Sequence, residues 1–193
     1  MVNNKYWTLQ FREVFQNEFM HGKDNQQRMA LGHTVGLIKG KGLVVGLSYA
    51  NEKREHWTVV DLYDKSPRVD YNIDLQDMNV FEGERFDFII CNAILEHVKN
   101  PFKCAEEMYR VLKFGGQIYV EVPFVQPYHP YKGYDEVRDG ILPDMNKKFN
   151  RDENHGGDYW RFTPQGIVEL FNKFKTKSVI LGDQGGIVYY GEK

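Results

Sequence analysis

The sequence predicts a doubly wound α/β fold on a mostly parallel sheet, and three adjoining stretches predict it. Residues 86–91, FDFIIC, form a short, almost continuous apolar run, the pattern of a strand covered on both faces. Residues 101–113 place Phe102, Ala105, Met108, Tyr109 and Leu112 at helical spacing behind Pro101, whose missing N–H costs nothing in a first helical turn. Gly115 and Gly116 are expected to end that helix, and residues 118–122, IYVEV, read as the next strand. Strand, helix and strand make a βαβ unit, which joins neighbouring parallel strands. Ligands of open α/β sheets sit beyond the carboxyl ends of the strands. Residues 92–97 and 123–129 are therefore expected on the ligand side.

The remaining elements follow in chain order. Residues 8–20 carry Leu9, Phe11, Val14, Phe15 and Phe19 on one helical face, and Asp24 can cap a second helix over 25–38. Residues 1–40 are thus read as N-terminal helices. A Gly-Lys-Gly turn leads into a short apolar strand at 43–46. Residues 57–60 form another strand, ending at Asp61, and residues 69–73 a third. Thr163 caps a helix with Pro164 at its first position. Strands at 177–181 and 187–190, joined by Gly-Asp-Gln-Gly-Gly, make an antiparallel pair. The longest irregular stretch is 124–160, rich in aromatic rings and glycine. Long loops inside compact domains are usually functional, and this one is read as a substrate-recognition insertion.

Bulk properties narrow the function. The 193 residues are read as one domain over 1–193, long enough to bury a core. Lys+Arg number 25 against 27 Asp+Glu, and no basic block stands out, so nucleic acid is not an expected partner. Cys91 and Cys104 fall inside a predicted strand and helix, where free buried thiols are expected rather than a disulfide framework. Neither a leader pattern nor an apolar run of membrane-spanning length is visible. A cytoplasmic protein without membrane insertion is expected, and nothing sets its oligomeric state.

Several motifs occur in order: FDFII, then LEHV at 95–98, YRVLKFGG at 109–116, VEVP at 120–123 and DYWRFTPQGIVELF at 158–171. Together they resemble class I S-adenosylmethionine-dependent methyltransferases, nearest to the small type-11 enzymes that include members of glycan and lipid biosynthesis. The resemblance covers roughly residues 57–171. It implies a Rossmann-like, seven-stranded, mostly parallel sheet with the last strand inserted antiparallel. It also implies S-adenosylmethionine as cofactor and a small-molecule methyl acceptor.

The resemblance further implies a cofactor site. The family's acidic-x-Gly-x-Gly-x-Gly loop reads here Val44-Val45-Gly46-Leu47-Ser48-Tyr49-Ala50, keeping Gly46 and replacing later glycines by the small Ser48 and Ala50. Asp61, with Leu62 beside it, is expected to accept hydrogen bonds from the ribose hydroxyls, a role that suits an acceptor-only carboxylate. Asp64 is a nearby substitute. Asp74, with Leu75, is expected at the adenine amino group, Asp77 being the fallback. Asn92 is expected beside the methionine portion. His97 is read as structural, bonding nearby backbone. For the acceptor, a sugar or other small polar metabolite would suit the aromatic insertion. His129 is the first candidate general base because imidazole titrates near neutral pH, followed by Asp158 and Tyr159. His129, Asp152, His155 and Asp158 match no tight metal spacing, so no metal is expected. Two alternatives stand beside this reading. One is a non-catalytic binding or regulatory protein with a degenerate cofactor loop. The other, further back, is a nicotinamide-dependent oxidoreductase.

Overall fold

The computed structural model describes residues 40–46, 55–126, 157–181 and 185–193. The expected N-terminal helices, Ser48 and His129 lie outside them, as does most of the 124–160 stretch. Six strands form one sheet in the order β2-β1-β3-β4-β6-β5. They are β1 (Gly42–Val45), β2 (Trp57–Val60), β3 (Phe86–Asn92), β4 (Leu112–Pro123), β5 (Lys175–Leu181) and β6 (Gly186–Glu192). Strands β2, β1, β3 and β4 run parallel, while β6 lies antiparallel between β4 and β5. This is the mixed, mostly parallel α/β sheet expected, with six strands rather than seven among the described residues.

The missing strand has a local cause. Residues 69–73 contribute one parallel bridge, Val60 to Tyr71, and no ladder. The Asp70 carboxylate accepts the Val59 N–H (2.8 Å). Asp70 and Tyr71 both donate their N–H groups to the Val59 carbonyl. A side chain thus takes up a donor on the edge of β2 that a neighbouring strand would otherwise engage.

Alternation along the strands buries both faces. Leu43, Val45, Val60, Ile89, Cys91, Ile118, Val120, Val122, Ile187 and Tyr189 join one core with the helices. Val44, Trp57, Val59, Phe88, Ile90, Tyr119, Val188 and Tyr190 form the other. Phe86 breaks the period: it shares the first core with Ile89, although Phe88 lies in the second. A β-bulge explains this, because the Asp87 and Phe88 N–H groups both donate to the Lys41 carbonyl (2.8 and 3.5 Å). The Asp87 carboxylate closes the bulge, accepting from Lys41 N (2.7 Å) and Lys113 Nζ (2.6 Å).

Helix α1 (Pro101–Val111) is capped by Asn100, whose side chain accepts from Lys103 N, and has Pro101 in its first turn. It buries Cys104, Ala105, Met108 and Val111. Phe102, expected on that face, is instead more than half exposed, and Cys104 takes the inward position. The helix does not wait for the two glycines. Leu112 is already extended, its N–H donating to the Met108 carbonyl, and β4 starts there. Gly115, at φ +74°, turns the chain within the early part of β4, where the register against β3 is irregular. Helix α2 (Pro164–Leu170) begins as expected, with the Thr163 hydroxyl accepting from Gly166 N (3.0 Å). Among the described residues no helix is long and apolar enough to cross a membrane.

Candidate functional site

Parallel pairing brings the carboxyl ends of β1, β2 and β3 to one edge. Val45 is level with Val60 on one side and with Cys91 on the other, so Gly46, Asp61 and Asn92 are the next residues of three adjacent strands. The Gly46 N–H donates to the Val60 carbonyl (2.9 Å). Gly46 has φ +78°, a conformation that side chains rarely adopt. A Cβ there would stand 2.6 Å from Ile94 Cδ1. Glycine at this point therefore serves both the turn and the packing of Ile94.

Asp61 organises the loop after β2. Its Oδ1 accepts from the N–H groups of Tyr63 (2.8 Å) and Asp64 (2.9 Å). Its Oδ2 takes no hydrogen bond from the described residues. Asn72 fastens this loop from outside, donating through Nδ2 to the carbonyls of Asp61 (2.8 Å) and Asp64 (2.5 Å). Leu62 is exposed beside it. Asp74 starts a second turn, in which Gln76 N donates to its Oδ1 (2.8 Å) and Gln76 Nε2 lies within 3.1 Å of both carboxylate oxygens. Leu75 points away from the edge into the core.

Below this turn, Glu107 Oε2 accepts from Met78 N (2.8 Å). Arg110 bridges Glu107 to the carbonyls of Met78 and Phe81. The hydrogen bond from Arg110 holds the Glu107 carboxyl below its ordinary range, against the opposing effect of burial. Tyr63 reaches the same neighbourhood. Burial, then the fields of Tyr159, Asp74 and Asp61, push its phenol above the usual value. Tyr63 therefore keeps its proton near neutral pH and remains a donor.

The end of β3 is built differently. Asn92 is buried, and Ala93, at φ +50°, turns the chain while its N–H donates to the Glu121 carbonyl (3.0 Å). A non-glycine residue in this region stores strain of about 1–2 kcal/mol. A single 3₁₀ turn, Leu95–His97, follows. Residues 157–162 fasten onto it. His97 Nδ1–H donates to the Gly157 carbonyl (2.7 Å), which fixes the imidazole tautomer because a carbonyl only accepts. Tyr159 N–H donates to the Glu96 carbonyl (2.7 Å) and Trp160 Nε1–H to the Val98 carbonyl (2.9 Å). Phe162 is buried, its N–H donating to Pro123 (3.0 Å), and Arg161 Nε donates to the Gln126 carbonyl (3.0 Å).

His97 therefore bonds nearby backbone, as read from the sequence. The Asp158 side chain is fully buried and held by both terminal nitrogens of Arg161. Its carboxylate is engaged in that pair rather than presented as a base. Tyr159 is about half exposed, its ring accessible.

The buried cysteines contribute no nucleophile. Burial pushes the Cys91 thiol well up and the Cys104 thiol to about 12, so neither forms a thiolate near neutral pH. Both are free thiols, and no cluster with metal-ligating composition occurs among the described residues.

Residues 37–120 match the family model described as a methyltransferase domain. The match covers less than half of the 193 residues and marks a likeness to methyltransferase domains over that stretch. The chain is 38% identical over 87 residues to the ubiquinone/menaquinone biosynthesis C-methyltransferase of Hydrogenovibrio crunogenus, covering 44% of this chain and 34% of that protein. It is 48% identical over 99 residues to an uncharacterised protein of Methanocaldococcus jannaschii, covering 51% of this chain and 42% of the relative. The matches thus span less than half the length of these two relatives. A solved S-adenosylmethionine-dependent methyltransferase of Thermotoga maritima superposes with a TM-score of 0.53 at 16% identity, over 95% of this chain and 94% of its own. At that identity the likeness shows the fold alone, a Rossmann-like, mostly parallel sheet.

The donor set fits the cofactor that the sequence motifs imply. S-adenosylmethionine carries a ribose diol and an adenine amino group, all hydrogen-bond donors. The carboxyl edge of this sheet offers acceptors of the kind such donors require: the Oδ2 of Asp61 after β2, and the carboxylate of Asp74 in the following loop.

The sequence reading missed two features of this edge. Ala93 carries no signal, since alanine gives no hint of a left-handed turn. Tyr63 follows Asp61 by two residues, and that position in an Asx turn was the one available clue.

Proposed function

We propose that this chain transfers a methyl group from S-adenosylmethionine to a small polar acceptor, with a sugar the leading class, in the cytoplasm and within one domain. The observation that carries the reading is the alignment of Gly46, Asp61 and Asn92 at three adjacent strand ends, with Asp74 in the loop beyond β2. Bound S-adenosylmethionine supplies a methyl carbon already activated by the positive charge on its sulfur. The chain's own task is to hold, align and exclude water. Asp61 Oδ2 would take the ribose hydroxyls, and Asp74 the adenine amino group. Gly46 and Ser48 would give the backbone a close approach, with Leu62 and Leu75 as apolar neighbours. Asn92 would face the methionine portion.

On the acceptor side, residues 157–162 would form one wall, tied to the turn after β3 by the bonds above. The aromatic composition of the 124–160 stretch supports a sugar-like acceptor, because flat rings stack on sugar faces while hydroxyls bond their edges. The formal charge of −2 argues against a nucleic-acid acceptor. His129 is the proposed general base. Tyr159 stands next, ahead of Asp158, whose carboxylate is engaged by Arg161.

Calorimetric titration with S-adenosylmethionine and with S-adenosylhomocysteine tests the reading. Micromolar binding of either is expected. Asp61→Ala is expected to weaken it about tenfold or more, the scale of one or two hydrogen bonds to a charged group. A folded wild-type chain that binds neither would favour a non-catalytic role. With binding in hand, His129→Ala should slow turnover of a methylated acceptor while leaving cofactor affinity unchanged. Methylation of RNA in preference to sugars would overturn the acceptor class.

A further inference from the structure

Arg161 stands between two segments of the chain that are anchored to different strand ends. Residues 123–126 continue from β4, and the N–H groups of Phe124 and Val125 both donate to the Gly185 carbonyl just before β6 (2.9 and 2.8 Å). Residues 157–160 are tied to the turn after β3 through His97, Glu96 and Val98. A backbone bond links the two segments where the Phe162 N–H donates to the Pro123 carbonyl (3.0 Å). Arg161 supplies a second link, beyond the end of β4. Its Nε donates to the Gln126 carbonyl (3.0 Å), 35 positions back along the chain. Its Nη1 and Nη2 hold the Asp158 carboxylate, and Nη1 also donates to the Trp160 carbonyl (2.7 Å).

This is a costly way to add stability alone. The Asp158 side chain is fully buried and that of Arg161 is 27% exposed. Taking both charges out of water costs desolvation that their attraction only partly offsets, so packed apolar side chains would hold the fold as well. What apolar side chains lack is direction. A guanidinium is a rigid planar fork that engages a carboxylate and two carbonyls at set angles, whereas a lysine ammonium is a single point charge. An arginine here therefore fixes where residues 158–160 lie relative to the end of β4.

We propose that Arg161 is a positioning residue for the acceptor side. It sets the spacing between Gln126 and residues 158–160, and through it the placement of the exposed Tyr159 and Trp160 rings. The effect on turnover rests on the methyl-transfer reading; the spacing itself does not.

The test uses the full chain. Spin labels are placed by Val125→Cys and Tyr159→Cys, at positions that are 72% and 52% exposed, while the native Cys91 and Cys104 are fully buried and stay unlabelled. A narrow distance distribution is expected with Arg161 in place. Arg161→Lys, and separately Asp158→Leu with Arg161→Met, are expected to broaden it at a near-wild-type melting temperature. In the unlabelled chain, formation of S-adenosylhomocysteine from S-adenosylmethionine is followed with a panel of free sugars as acceptors. Arg161→Lys, which keeps Asp158 and a positive charge, is expected to lower kcat about tenfold or more, the scale of a slightly misplaced reacting group, with KM for S-adenosylmethionine unchanged. An unchanged distance distribution in both variants would overturn the proposal, whatever their turnover. Wild-type kcat in Arg161→Lys would overturn it as well. A wild-type chain that forms no S-adenosylhomocysteine with any sugar would overturn the sugar reading, while the distance distributions still decide the role of Arg161.

Discussion

The two halves of the candidate site are built on opposite principles. The loops after β2, which hold Asp61 and Asp74, are organised by their own side chains. Asp61 binds the next two N–H groups but one, Asn72 ties the loop's carbonyls, and Gln76 closes the Asp74 turn. The turn after β3 has few such internal bonds. It is held by residues about 60 positions away, through His97 to Gly157, Glu96 to Tyr159 and Val98 to Trp160. One half is prepared locally and the other only when distant segments meet. The loops that hold Asp61 and Asp74 should therefore tolerate damage to the tertiary structure better than the turn after β3.

The sharpest way to break this contrast is Arg161→Ala. It leaves the fully buried Asp158 carboxylate without its main partner, and removal of one member of a buried pair costs several kcal/mol. A loss of about 3 kcal/mol in urea-induced unfolding is expected. Replacement of both Asp158 and Arg161 by apolar residues should recover much of it. A loss under about 0.5 kcal/mol would mean that the Asp158–Arg161 pair carries little stability.

Asn72→Ala attacks the local half. About 1 kcal/mol of stability is expected to go with its two hydrogen bonds. S-adenosylhomocysteine affinity should fall several-fold, because Asp61 loses its fixed loop. Unchanged affinity would show that the Asx turn alone suffices.

The smallest effect is on pH dependence. The Glu107 carboxyl is held below its ordinary value, chiefly by the hydrogen bond from Arg110. A depressed carboxyl stabilises the fold above its unfolded pKa of about 4.3, and that stability fades as pH falls through the lower folded value. Glu107→Gln should leave a flatter loss of stability below about pH 4.3 than wild type. Identical acid limbs would remove Glu107 as the pH-sensitive support of the loop under Asp74.

The same division explains what could be read from the sequence. Thr163 with Pro164, and Pro101 alone for the earlier helix, marked helix starts because the first turn is decided by neighbouring residues; the Asn100 cap emerged only in the fold. The short apolar strand runs and the place of Asp61 at a strand end were legible for the same reason. Errors arose where distant contacts ruled. Gly115 and Gly116 looked like a helix terminator, yet the chain had already turned extended at Leu112, and Gly115 N–H instead donates to the Lys193 carbonyl. Residues 69–73 had strand composition, but the Asp70 side chain satisfied the edge of β2 first. Phe102 fitted the apolar spacing, although Cys104 proved to be the buried partner. The partnership of Asp158 with Arg161 also left no periodic trace, since only the folded loop decides which charge a carboxylate meets.

The bulge at Asp87 carries a consequence beyond its own neighbourhood. A strand works as a binary counter, assigning successive side chains to opposite faces, and the bulge skips one count near the amino end of β3. Every later assignment on that strand is inverted, including that of Asn92 about 17 Å along at the carboxyl edge. The Asp87 carboxylate, anchored by Lys41 and Lys113, thus sets the parity that Asn92 reads out, at a remove where neither touches the other.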